Sequence, residues 1–269
     1  MMFDQQKKLK AILDSYTIQT LPKTMMLIGD YGCGKSYYAK SLAERLGLRI
    51  IEIDAKVVQD TMNEYKVSPI DTMYIINLVN FTEKAQNQFL KFIEEPGEHV
   101  YVMLLSRSEV GVLPTILNRC VKLTFEPYTK DFLKSEFAEA ISDDVGDDIY
   151  EIAKTPGQLQ DIAQDVESFK KAKELCGKIV DNIDKATYAN TISLESKINY
   201  KDYYDKCDFD LFFRLMEYLA YSKYVMTYSN TAYRVYKITN KYNKDKLNRT
   251  VAKEAYVLSY LTAIWKGTH

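Results

Sequence analysis

The sequence predicts an α/β domain followed by an all-α region, and three observations carry this reading. Short apolar runs alternate with helical patterns over residues 1–126. A glycine-rich segment of the form G-x-x-x-x-G-K-S links the first apolar run to a helix. From residue 130 onward the apolar spacing is helical throughout. Strands alternating with helices imply right-handed crossovers and a parallel sheet covered on both faces.

The elements follow in order. Residues 4–16 read as an amphipathic helix, and residues 25–28 as a short buried strand. The helix over 36–46 is stopped by Gly47. Further strands are expected over 48–53, 73–76, 100–105 and 121–125. Residues 83–95 read as one helix closed by Pro96-Gly97. Beyond the α/β part, two short acidic helices over about 130–141 and 146–153 precede Thr155-Pro156-Gly157. Longer helices include about 210–228 and 249–265.

The 269 residues suffice for two or three small domains. The net charge of −1 conceals an asymmetry. Residues 1–125 carry 15 basic and 14 acidic side chains, residues 126–169 carry 3 and 12, and residues 170–269 carry 18 and 11. These breaks place expected boundaries near 126 and 169, giving 1–126, 127–167 and 168–269. The basic C-terminal part reads either as a solvated helical surface or as a face toward a polyanion or acidic partner. Twelve of the 22 tyrosines fall between residues 200 and 260. Tyr221, Tyr224 and Tyr228 recur at helical spacing, which favours helix packing over a base-stacking platform.

No run of eighteen apolar residues is present, so no membrane partner is expected. The N-terminus lacks the basic-then-apolar layout of a signal peptide. The cysteines, Cys33, Cys120, Cys176 and Cys207, form no Cys-x-x-Cys pair, and only His99 and His269 are histidines. No zinc site or disulfide framework is expected, and the cytoplasm is the expected compartment.

The glycine-rich segment is Gly29-Asp30-Tyr31-Gly32-Cys33-Gly34-Lys35-Ser36. Its glycines let backbone N–H groups curl inward around phosphate oxygens, and the following helix N-terminus adds partial positive charge. In such a loop Lys35 reaches the β- and γ-phosphates and Ser36 ligates Mg²⁺ of a bound ATP or ADP. The competing readings are a loop that has lost its nucleotide and a plain glycine turn. A hydrolytic site also needs acid groups at the end of a neighbouring strand. The run 73–76 ends instead in Asn77-Leu78. Asn77 is neutral and would hold Mg²⁺ poorly, since hard cations favour charged oxygen. Leu78 cannot position a water, and general-base help is worth about 10²–10⁴-fold. Asp71 precedes the strand and sits at its wrong end.

The segment Asn87-Gln88-Phe89-Leu90-Lys91-Phe92-Ile93-Glu94-Glu95-Pro96 resembles the asparagine-to-Glu-Glu-Pro helix of clamp-loader subunits. The segment Leu113-Pro114-Thr115-Ile116-Leu117-Asn118-Arg119-Cys120 resembles their Leu-Pro-x-Thr-Ile-x-Ser-Arg-Cys segment, with Asn118 for the serine and one residue fewer after the proline. On these motifs the chain is similar to bacterial or phage clamp-loader subunits of the AAA+ type, nearest to the delta-prime subunits of DNA polymerase III. The similarity covers most of residues 3–163. It implies a reduced AAA+ domain, a small helical lid and a helical collar that assembles into a ring with other loader subunits. It implies a sliding clamp and primer–template DNA as partners. Arg119 stands where the family places a finger that reaches the ATP of the adjacent subunit, a task suited to a guanidinium. Ser106 falls at the sensor position after the fourth strand, and Gln160 near a second sensor that is arginine in hydrolysing relatives. With Asn77 and Leu78 in place of the acidic pair, the resemblance implies a subunit without ATPase activity of its own. The four-cysteine zinc module common in delta-prime subunits is missing. The alternatives are an active motor subunit of the same loader, favoured by Lys35 and Ser36, and another AAA+ replication factor such as a helicase loader.

Overall fold

A computed structural model describes residues 4–53, 68–141, 145–199, 207–245 and 252–269. They divide into two compact units, residues 1–132 with 155–157, and residues 133–154 with 158–269. The segments expected as lid and collar fall mostly in the second unit.

The first unit is built on five parallel strands in the order β2-β3-β4-β1-β5: β1 Thr24–Ile28, β2 Arg49–Ile53, β3 Thr72–Asn77, β4 Val100–Ser106 and β5 Val121–Thr124. The three central strands are buried along nearly their whole length, as a sheet covered on both faces requires. The edge strand β5 is largely exposed, and β2 at the other edge is partly so. Helix α1, Lys7–Ser15, buries Leu9 and Leu13, one turn apart on its inner face. Just before it, Gln6 is 1% exposed and pairs both ways with the chain after β5. Its Nε2 donates to Glu126 O at 2.7 Å, and its Oε1 accepts from Glu126 N at 2.9 Å. Helix α2, Lys35–Arg45, follows β1 through the glycine-rich loop.

Residues 83–95 depart from the single helix expected. Helix α3 is Glu83–Gln88 and helix α4 is Leu90–Glu94, separated at Phe89. The Phe89 ring is fully buried and meets Phe81 edge-on at 5.4 Å, so tertiary packing overrides an unbroken helical pattern. A short helix α5, Pro114–Leu117, was not anticipated.

The second unit is mainly helical, and departs from the all-α expectation in one short parallel pair, Ile198–Asn199 with Cys207–Asp208. It comprises the rest of α6 (Lys130–Phe137), then α7 Ile149–Ile152, and the rest of α8 (Pro156–Gln164). The long helices are α9 Val166–Asn182, α11 Phe209–Thr227, α12 Asn230–Asp245 and α13 Lys253–Thr268, with α10 Tyr188–Ile192 between α9 and α11. Helix α7 is shorter than the expected 146–153, because Gly146 takes a left-handed conformation just before it. Residues 249–251 of the last expected helix lie outside the described residues. Phe212, Phe213 and Tyr260 anchor the core, and the Tyr260 hydroxyl bonds Thr239 Oγ1 at 2.8 Å. Among the described residues, no helix is long and apolar enough to cross a membrane.

Candidate nucleotide site and a separate arginine

Parallel strands gather their C-terminal ends on one edge of the sheet. That edge holds Gly29–Ser36 after β1, Asn77 at the end of β3 and Ser106 at the end of β4. The register aligns Ile28 with Ser106 and Asn77 with Leu105. Gly29 N donates to Ser106 O at 3.1 Å, tying the loop to the β4 end.

The loop needs its glycines. Gly32 and Gly34 lie at φ +77° and +100°, a region costly for other residues. At Gly29 a Cβ would lie 2.7 Å from Cys33 Sγ and 2.9 Å from Phe125 Cβ. The loop carbonyls are each held by a donor. Lys35 Nζ donates to Gly29 O and Asp30 O at 2.7 and 2.8 Å. Thr155 Oγ1 donates to Tyr31 O at 2.7 Å, Gly157 N to Gly32 O at 2.9 Å, and the Tyr128 hydroxyl to Cys33 O at 2.9 Å. Amides that line the anion cradle in loops of this kind have partners within the chain here: Cys33 N donates to Asp30 O at 3.4 Å. Another, Tyr31 N, donates to the Asp30 carboxylate at 2.7 Å.

Burial lowers the Lys35 pKa, and the nearby Arg107 charge presses in the same direction. Burial raises that of Cys33, whose Sγ is 3.7 Å from Lys35 Nζ. Ser36 is exposed in the first turn of α2. The residues present therefore suit a nucleotide phosphate chain.

The two positions expected to carry acid groups behave differently. Asn77 is exposed, and its Oδ1 accepts from Val79 N at 3.2 Å, capping the turn that follows β3. Leu78 is 5% exposed and packs into the apolar cluster with Ile76, Phe81 and Phe89. Ser106 is buried, and its hydroxyl donates to Ser108 O at 2.7 Å. Gln160 is exposed on α8 in the second unit. Sequence reasoning missed Arg107, which follows Ser106 and lies 5.6 Å over the Tyr31 ring. Its place just after a strand at the loop's edge was the available signal.

Arg119 lies elsewhere. It precedes β5, whose Val121 pairs with Met25 at the start of β1. It is therefore on the N-terminal edge of the sheet, separated from the loop by β1, roughly 16 Å of strand. Its guanidinium donates to Thr115 O at 2.8 Å and to Glu94 Oε1 at 2.9 Å, with about two-fifths of the side chain exposed. Sequence reasoning also missed a brace for this segment. Gln86 is 3% exposed, donates to Gly111 O at 2.7 Å and accepts from Leu113 N at 2.9 Å, fixing the start of α5. A buried polar residue on a helix was the only sequence signal.

Residues 48–129 match the sequence model of a family described as DNA polymerase III, delta subunit. The chain is 28% identical over 94 residues to the delta-prime subunit of DNA polymerase III from Bacillus subtilis (strain 168), a match spanning 35% of this chain and 29% of that protein. Among solved structures, a gamma subunit-related protein of DNA polymerase III from Thermotoga maritima is similar at 16% identity and a TM-score of 0.44, over 99% of this chain and 100% of that one. A RuvB mutant from Thermotoga maritima is similar at 17% identity and 0.47, over 80% and 68%. The segment matched by the family model spans both motifs, Asn87–Pro96 and Leu113–Cys120. It includes Asn77, Ser106 and Arg119 and excludes Gly29–Ser36.

Proposed function

We propose that this chain is a cytoplasmic clamp-loader subunit of the delta-prime type. It joins other loader subunits in a ring that places a sliding clamp on primer–template DNA, and it lends Arg119 to the ATP of a neighbouring subunit. Residues 1–126 act as the AAA+ part, 127–167 as the lid and 168–269 as the collar through which subunits assemble. Its own loop, with Lys35 and Ser36, holds ATP or ADP with Mg²⁺ and does not hydrolyse it, because Asn77 and Leu78 supply neither a charged metal ligand nor a water-orienting acid.

The observation that carries this reading is the position of Arg119. A guanidinium on the N-terminal edge of the sheet cannot serve a phosphate on the C-terminal edge of the same sheet, whereas it is accessible to a second subunit. Arginine fingers supplied in trans are worth about 10³–10⁵ in rate in related phosphate-loop systems.

ATP hydrolysis by the purified chain, alone and mixed with its cognate ATPase subunits, tests this. The chain alone should be inert, the mixture active, and Arg119→Ala should lower the mixed rate without preventing assembly. Turnover by the chain alone, abolished by Lys35→Ala, would instead make it a motor subunit.

A further inference from the structure

Helices α11 and α12 form a hairpin whose turn and outer face present aromatic rings beside a row of cations. Arg234, Lys237, Lys241 and Lys244 recur at steps of three, four and three residues, so they share one face of α12. That face is exposed, while Ala232, Val235 and Thr239 point to the core. The row runs from Arg234 to Lys244, roughly 15 Å of helix. Among the described residues, no carboxylate pairs with these four cations: Arg234 donates to Gly267 O and Lys237 lies 5.5 Å over the Tyr233 ring. Glu217 of α11 is engaged with Asn240 and Asn243.

The aromatic rings begin where the cations end. Tyr233 packs against Tyr224 at 4.8 Å with the rings tilted by 37°, and Tyr224 meets Tyr228 edge-on at 6.4 Å. Tyr228 is 80% exposed, beside Met226 at 81%. Tyr228 also closes α11 at φ +53°, the one non-glycine residue with positive φ among those described. A helix end of this kind ordinarily takes glycine or asparagine, because a Cβ is strained there. An exposed tyrosine held in that conformation gains little from packing, so its ring points to a role outside the fold.

We propose that this aromatic turn and the outward face of α12 bind single-stranded nucleic acid. The cation row follows a phosphate backbone, and Tyr228, backed by Tyr224 and Tyr233, offers the exposed ring on which a base stacks. An acidic protein surface would need the cations and leave the exposed rings unused. The inference goes beyond the clamp-loader reading, and a test on the chain alone keeps its failure separate from failure of that reading.

Fluorescence anisotropy of a labelled oligo-dT, titrated with the full chain at several salt concentrations, tests the surface. A duplex of equal length and heparin are the comparison ligands. We expect oligo-dT to bind more tightly than the duplex. Lys237→Gln with Lys241→Gln should reduce the salt slope by about 1.4, at 0.7 for each lost cation. Tyr228→Gly should weaken oligo-dT binding roughly fivefold or more while leaving heparin binding unchanged and the melting temperature no lower. No oligo-dT binding at low salt, or the same loss for heparin as for oligo-dT on Tyr228→Gly, would overturn the proposal. So would variants that bind oligo-dT normally but no longer assemble with loader subunits, which would make the face a subunit contact.

Discussion

Gly157 lies against Gly32 with no room for a side chain: its N–H donates to Gly32 O at 2.9 Å, and a Cβ on it would lie 2.5 Å from Gly32 Cα. The neighbour is backbone, so it cannot turn aside as a flexible side chain would. Gly157→Ala must therefore push residues 155–157 off the loop, with loss of the Gly32 bond and of the Thr155 bond to Tyr31 O. We expect a cost of about 1–3 kcal/mol, typical of overpacking, read as a lower urea midpoint. Binding of a fluorescent ADP analogue should weaken in parallel, because two of the loop carbonyls lose their donors. An unchanged midpoint and unchanged ADP binding would show that the close approach does not hold the loop.

Much of this was legible from local rules. The five strands followed from apolar runs bounded by turns, and the loop from its glycines and lysine. What escaped depends on contacts between distant segments. Gln6 pairs with Glu126, and Gln86 pairs with Gly111 and Leu113, across gaps that no periodicity records. Phe89 interrupts a helical pattern because its ring is needed against Phe81. Asn77 and Leu78 were read alike as missing acids, whereas the fold gives them opposite surroundings, one exposed and one in the core. Arg119 was placed by its motif, but its pairing with Glu94 brings the two quoted motifs into one contact that neither contains alone.

The Arg119–Glu94 pair is half-exposed, and exposed ion pairs are worth about 0–1 kcal/mol. If its role were structural, removing it would show in stability. We expect Arg119→Ala and Glu94→Ala each to leave the urea midpoint within about 1 kcal/mol of the wild type. Glu94→Ala should leave the mixed-subunit ATPase largely intact, whereas Arg119→Ala should not. A large stability loss from Arg119→Ala, with full ATPase in the mixture, would mark the pair as a structural one.

Burial raises two pKa values near β5. The Cys120 thiol is pushed up to about 12 from an ordinary value of 9.0, and the Tyr128 hydroxyl is also raised, by burial first. A group held protonated in the folded state above its unfolded value contributes stability that is complete below the unfolded pKa. That contribution is lost as pH rises toward the folded value. The urea midpoint should therefore fall between pH 9 and pH 12, with little effect of these groups below pH 9. Cys120→Ala should flatten the first part of that fall. A midpoint rising over this range would mean that the unfolded chain binds the extra protons, contrary to the burial of both groups.

Restoring acids at Asn77 and Leu78 offers the sharpest test of why the loop would lack turnover. Asn77 is exposed on the loop's own edge of the sheet, so Asn77→Asp is tolerated and supplies a charged oxygen where a metal ligand is wanted. Leu78 is different: at 5% exposure within the cluster of Ile76, Phe81 and Phe89, its side chain is directed into the core. Leu78→Glu would bury a carboxylate among apolar groups, at a cost of about 3 kcal/mol or more. A glutamate there either stays neutral in the core or breaks the packing to escape. In neither case is it held where it could orient a water. We expect Asn77→Asp to tighten Mg²⁺-dependent ADP binding without producing turnover, and the double variant to be less stable and still inert. Steady ATP hydrolysis by the double variant alone would show that the backbone after β3 can turn residue 78 toward the phosphates, and that only the acid groups were missing.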